Sequence, residues 1–305
     1  MNIVDIELII NLLNDYTFQV VSLGATLLGA ISGVLGSFAV LRKQSLLGDT
    51  ISHSALPGVV LAFLLIEVKN TEILLLGGLV SGLMATAIIN FIQKNSKINF
   101  DSALAIILAV FFGAGLILLT ISQRLPNANQ SGLDKFIYGQ ASGMLLRDVK
   151  FIFGCGIILM LIVVIFWKEF KILCFDPEFA RSIGLDINKL DILLNFVIVI
   201  GIIIGLQTVG VILMSAMLIA PAVASRQWVN KLSHMIMLSA FFGGVSGFIG
   251  TLFSSAIKGM PTGPMIVVVV SVIAFFSLLF APNRGIIYDV YKKKQIKNMI
   301  KKRGA

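Results

Sequence analysis

The chain has 305 residues, 57% of them hydrophobic and 13% charged, with a formal net charge of +9. Soluble domains carry about 25% charged residues. A chain this poor in charge, with a mean hydropathy of +0.98, has to face lipid, which excludes a soluble enzyme or binding domain and turns the positive charge into a matter of membrane sidedness rather than of nucleic acid.

A helical span needs about 20 apolar residues to cross about 30 Å of hydrocarbon. Lipid offers backbone groups no partner, so spans are helices or closed barrels. Runs such as FIFGCGIILMLIVVIFW are continuous, whereas barrel strands alternate and are about half as long. The expected fold is therefore all-α, a polytopic membrane bundle of about eight to nine transmembrane helices. The whole of 1–305 reads as a single transmembrane domain, with a surface helix over 1–16 and a basic tail over 283–305.

In chain order, the segment before Phe18 is mixed, with Asp5, Glu7 and Asp15. No cation precedes Arg42, so the charged n-region of a secretory signal peptide is missing. Apolar spans follow at Phe18–Leu41, Leu47–Ile66, Ile73–Ile92, Ala103–Ile121, Phe151–Trp167, Leu190–Leu206, Val209–Val223, Met235–Phe253 and Met265–Phe280. The segment Asp134–Lys150 stays open between an outer amphipathic helix and part of an extra passage, hence eight or nine.

If the helices alternate, Arg42–Lys43, Lys94–Lys97, Lys168 to Lys189, Arg226–Lys231 and the tail KKKQIKNMIKKRGA share one side. The positive-inside rule makes that side cytoplasmic, C-terminus included, and the tail can touch anionic lipid. The opposite loops hold fewer cations, such as Lys69, Arg124, Lys135 and Lys258.

Cys155 and Cys174 are far apart and read as free thiols, with no disulfide framework or zinc motif. Glycines four apart, Gly29 with Gly33, Gly201 with Gly205 and Gly243 with Gly247, allow close helix approach, within one chain or at a dimer seam. Pro57–Gly58 and Pro221 interrupt spans, either as packing kinks or as broken helices lining a pathway.

Ionisable groups at membrane depth carry the sharpest signal, because each costs several kcal/mol and needs a partner or a function. Asp49 and His53, in LLGDTISHSALPG, are four apart and share a helix face. A carboxylate with an imidazole suits a divalent ion such as Zn²⁺, Mn²⁺ or Fe²⁺. Alternatively, Asp49 caps the following helix and His53 bonds a neighbour. Two ligands make no tight site; a two-fold dimer would supply two Asp and two His. His234, beside Arg226–Lys231, reads as an interfacial residue.

The second constellation is FDPEFARSIGLDINKL. Asp176 and Pro177 look like an N-cap and first-turn proline, Glu178 follows, and Gly184 ends a short helix as a C′ glycine does. It reads as a docking helix for a cytoplasmic partner or as a structured loop. Glu178 and Arg181 would face such a partner; Ala180 and Ile183 would face the dock or the membrane domain. No G-x-x-x-x-G-K-[ST] phosphate loop occurs in the chain, so any ATPase is a separate polypeptide and the chain itself is not expected to be an enzyme.

LRKQSLLGDTISHSALPG resembles the second-helix motif of the ATP-binding-cassette metal permeases, which import manganese, zinc or ferrous iron into bacteria. DPEFARSIGL is similar to that family's cytoplasmic coupling helix, and GVILMSAMLIAPAVASR to its late proline-containing helix. The resemblance runs from about Tyr16 to Pro282. It implies a multi-pass permease of the bacterial plasma membrane, paired as a homodimer or pseudo-dimer. It also implies two copies of a cytoplasmic ATP-binding subunit, an extracytoplasmic metal-binding protein, and no permanently bound cofactor. Asp49 and His53 would coordinate the transported metal, and Asp176, Glu178, Ala180, Arg181 and Gly184 would form the ATPase coupling segment. The rival readings are a permease for a larger metal chelate and an ion-coupled secondary transporter working alone.

Overall fold

In a computed structural model, residues 13–66, 70–124, 139, 141–257, 259–282, 284–288, 290 and 292 are described. The surface-helix expectation over 1–16 falls mostly outside them, as do Lys69, Lys135, Lys258 and most of the tail.

The regular secondary structure of the described residues is all helical. The helices are α1 (Tyr16–Leu41), α2 (Leu47–Ile66), α3 (Thr71–Asn95), α4 (Phe100–Gln123), α5 (Leu146–Ile165), α6 (Trp167–Phe175), α7 (Pro177–Ser182), α8 (Ile187–Val209), α9 (Val211–Trp228), α10 (Leu232–Ala256) and α11 (Thr262–Phe280). Eight of them are long and apolar enough to cross a membrane; α9, shorter and with Arg226 in its last turn, is the ninth long helix. Asp15 starts α1 as an N-cap, accepting from the Thr17 amide at 2.7 Å. The open segment before α5 is settled in part: Leu146 to Lys150 are the first turn of α5, preceded by a 3₁₀ turn at Ala141–Gly143, while 134–138 and 140 lie outside the described residues.

Glycine contacts fix the helix directions. A Cβ on Gly29 would meet the Gly243 carbonyl, one on Gly33 the Ser239 carbonyl, and one on Gly247 the Ala25 carbonyl. So α1 and α10 run antiparallel with their backbones touching, and these glycine pairs pack one chain internally. Gly201 and Gly205 face Leu35 and Leu28, which makes α8 antiparallel to α1. Ser32 lies by Met214 and Gly36 by Leu218, which makes α9 parallel to α1. The chain therefore reverses at Gly210 alone, whose φ of 81° is one glycine adopts freely. Gly58 against Gly77 sets α2 antiparallel to α3, and Gly24 by Val149 with Gly156 by Ile31 sets α5 parallel to α1.

This alternation gathers Arg42, Lys43, Lys94, Lys97, Lys168, Lys171, Arg181, Lys189, Arg226 and Lys231 at one end of the bundle. At the other end Arg147 pairs with Glu72. Helix α1 is central, 72% of its span being buried, while α4 and α11, at 22%, form the periphery. Pro57 and Pro221 lie inside continuous helices, so neither breaks its span.

Candidate functional site

Helix α2 starts deep in the bundle. An added Cβ on Gly82 would lie 3.4 Å from Ile51 and 3.3 Å from Val199, which levels the first turns of α2 with the middles of α3 and α8. From that level α8 runs about 18 Å and α3 about 19 Å further to the cation-rich end, at 1.5 Å per residue. Helix α2 runs about 22 Å the other way. A Cβ on Gly48 would lie 2.8 Å from Leu218 and 3.7 Å from Ser215 on α9. Two motifs far apart in sequence thus adjoin at mid-membrane.

Asp49 sits at this level, within the first turn of α2. It is not the N-cap, because the Thr50 amide already bonds the Leu46 carbonyl at 3.0 Å. Its position still favours the carboxylate, since the helix N-terminus carries partial positive charge. Asp49 Oδ1 is 3.5 Å from His53 Nε2, and both side chains keep part of their surface open, 39% and 19%. The ring of His53 stands edge-on to Phe112 of α4, centroids 4.5 Å apart. Its Nδ1 is buried with no hydrogen-bond partner among the described residues. Pro57, four residues on, has no N–H to return to the His53 carbonyl. On α9, Ser215, Ala216, Ile219 and Ala220 are half-buried, and of these Ser215 approaches Gly48, next to Asp49.

This pair is a donor set of one carboxylate and one imidazole. Among the described residues no group of three or more His, Cys, Asp or Glu could hold a metal. His234 is exposed in the first turn of α10, as an interfacial residue would be.

The loop of the second motif forms at the cation-rich end. Asp176 caps α7 by accepting the Phe179 amide at 2.9 Å, and Pro177 occupies the first helical position. At the other end the Leu185 amide bonds the Ala180 carbonyl and the Gly184 amide the Arg181 carbonyl, each at 3.0 Å. That is a Schellman termination, with Gly184 at φ 85°. Ala180 is fully buried; Glu178, Phe179, Arg181 and Ile183 are exposed. Asp186 then caps α8 through the Lys189 amide at 3.2 Å, and that backbone bond holds its carboxyl below the ordinary range.

Sequence reasoning missed α6, whose Phe170 packs edge-on against Phe38 of α1 at 5.9 Å. It also missed the ion pair between Arg42 and Asp191. The aromatic and cation pattern from Trp167 to Lys171 was the available signal for α6; nothing local signals a pair 149 residues apart.

Alternating membrane-spanning helices around a mid-membrane carboxylate–imidazole pair, with a capped helical loop at the cation-rich end, define a multi-pass transport protein. The chain belongs to the ABC 3 transport family, whose profile matches residues 14–281. It is 46% identical over 288 residues to the zinc transport system membrane protein TroC of Treponema pallidum, covering 94% of this chain and 97% of TroC. It is 48% identical over 268 residues to the manganese transport system membrane protein MntC of Bacillus subtilis, covering 88% of this chain and 62% of that longer protein. The fold matches PsaBC from Streptococcus pneumoniae, solved with a Fab, with a TM-score of 0.80 and 31% identity over 92% of this chain and 98% of the matched chain.

Proposed function

We propose that this chain is the permease subunit of an ATP-driven importer of divalent metal ions. Mn²⁺ and Zn²⁺ are the favoured cargo, ahead of Fe²⁺, in keeping with what the relatives TroC and MntC are named for. The observation that carries the reading is the Asp49–His53 pair at mid-membrane, half-open and with an unsatisfied imidazole nitrogen. Hard oxygen with borderline nitrogen suits these ions, whereas a large chelate needs no such pair.

One chain contributes two ligands, so the cargo passes between two copies, or this chain and a related permease, each bringing its pair to a shared axis. The cation-rich end faces the cytoplasm. There the exposed side chains of α7 receive two ATP-binding subunits, and an extracytoplasmic metal-binding protein delivers the ion at the opposite end. Alternate access then comes from rocking of the helix bundles around a fixed site.

Reconstitution tests the reading. Purified permease alone is expected to hydrolyse no ATP. With its ATP-binding subunit and metal-binding protein in proteoliposomes it is expected to accumulate radioactive manganese or zinc only when ATP is present. Accumulation independent of ATP and driven by an ion gradient would replace this reading with a secondary transporter.

A further inference from the structure

Arg42 is the C-cap of α1, and its guanidinium is ion-paired to Asp191 on α8. Asn195, one turn further along α8 and 1% exposed, orients both partners. It accepts from Arg42 Nη1 at 3.3 Å and donates to Asp191 Oδ2 at 3.2 Å. The charged side chains are largely covered, 14% and 24% exposed. Two helices are held together as well or better by apolar side chains, because desolvating charges is costly. A covered charge pair at this one place therefore calls for a role besides adhesion.

Its position suggests the role. On one side, Asp191 lies just over one turn into α8, whose first turn follows α7 through Gly184 and the Asp186 cap. On the other side, α1 ends next to Arg42 in a Schellman turn: the Lys43 amide bonds Val40 at 3.1 Å and the Gln44 amide bonds Ala39 at 2.9 Å. Lys43 holds a φ of 56°, where a residue with a β-carbon is strained and glycine would not be. The Gln44 carbonyl then accepts the Leu47 amide at 3.1 Å, at the first residue of α2. The connection from Arg42 to Asp49 is short, tightly bonded and strained, and it is tied to α8 at its base.

We propose that Arg42, with Asp191 and Asn195, is a positioning residue for transport: it transmits displacement of the α7 loop through the start of α8 to the base of α2, and so moves Asp49 and His53. The inference rests on the ATP-driven reading above.

The test is the number of ions transported per ATP hydrolysed, measured in proteoliposomes holding the permease, its ATP-binding subunit and the metal-binding protein, with radioactive manganese as probe. In Arg42→Gln/Asp191→Asn no charge is stranded. The expected result is wild-type assembly and ATP hydrolysis with an ion-to-ATP ratio at least tenfold lower, partly recovered by the swap Arg42→Asp/Asp191→Arg. An unchanged ratio, or uptake that falls only in step with assembled complex and ATP hydrolysis, overturns the link. Should the neutral pair fail to assemble, Asn195→Leu decides: it leaves both charges but removes their alignment, and an undiminished ratio there overturns the proposal. Wild-type complex without ATP-driven uptake would overturn the importer reading and the link with it, whereas a transporting wild type beside an undiminished variant overturns the link alone.

Discussion

Asp49 Oδ1 and His53 Nε2 lie 3.5 Å apart, one turn from each other on α2, at a level where α3, α8 and α9 are all near mid-length. That distance is too long for a hydrogen bond of ordinary strength. A carboxylate at membrane depth without a close donor is costly to keep, and an unpaired imidazole nitrogen beside it adds to the cost. A cation held between them relieves both. The surface of the pair is part-open rather than enclosed, and in the proposed assembly a second copy would cover it.

That geometry makes a prediction about assembly. With Cys155 and Cys174 replaced by serine, His53→Cys is expected to form an intermolecular disulfide on mild oxidation, seen as a band at twice the chain's 33.0 kDa. Quantitative oxidation that leaves only the single-chain band would place the pair away from a shared axis.

The pairing of α1 with α10 depends on bare backbone. A Cβ on Gly29 would strike the Gly243 carbonyl, and one on Gly243 the Gly29 carbonyl. Gly29→Val is expected to force the helices apart at a cost of about 1–3 kcal/mol or more. The readout is a lower unfolding temperature and lower yield in detergent. Gly154→Ala is the control, since nothing lies within 4 Å of a Cβ there; equal effects of the two would contradict the packing.

Much of this was legible in the sequence. The long apolar runs set the fold class, and the alternation of cations with spans anticipated the antiparallel pairing of α1 with α8 and α10 and of α2 with α3. Asp176, Pro177 and Gly184 announced both ends of α7, because caps are local chemistry. The position and spacing of Asp49 and His53 announced a shared face at membrane depth but not its neighbours, which depend on where α3, α8 and α9 stand beside α2. The partners of Gly29, Arg42 and Phe38 were hidden for the same reason: each contact joins residues from helices distant in sequence. Helix α6 was hidden because Trp167 extends an apolar run past a break that only the backbone shows.

Burial pushes the thiol of Cys174 from its ordinary 9.0 up to about 11, with Arg42 nearby pulling the other way. Because the thiolate is the reactive form, its fraction at neutral pH is about 100-fold smaller than for an ordinary thiol. With Cys155 replaced by serine, alkylation of Cys174 by iodoacetamide is therefore expected to be slow at pH 7 and to accelerate as the pH is raised. Arg42→Gln, which removes the opposing positive charge, should slow it further. Rapid labelling at pH 7 in the resting protein would contradict the packing of α6 on α1.

Gly184 has a φ of 85° and open space around it, so a substitution there acts through backbone strain alone. Gly184→Val is expected to cost about 1–2 kcal/mol locally and to loosen the end of α7. Insertion and dimerisation should survive, while co-purification of the ATP-binding subunit and metal uptake should fall. An ATP-binding subunit bound at wild-type level, with intact transport, would reduce α7 to a connector.

The most direct test of the whole account is radioactive manganese and zinc uptake into cells lacking their own importer and expressing the complete transporter with Asp49→Ala or His53→Ala. Loss of outer-shell partners at metal sites already costs about 10–100-fold, so loss of a direct ligand is expected to lower uptake by about 100-fold or more, with each variant inserted and assembled at wild-type level. Uptake at the wild-type rate by both variants would contradict the assignment of the metal pathway to this pair.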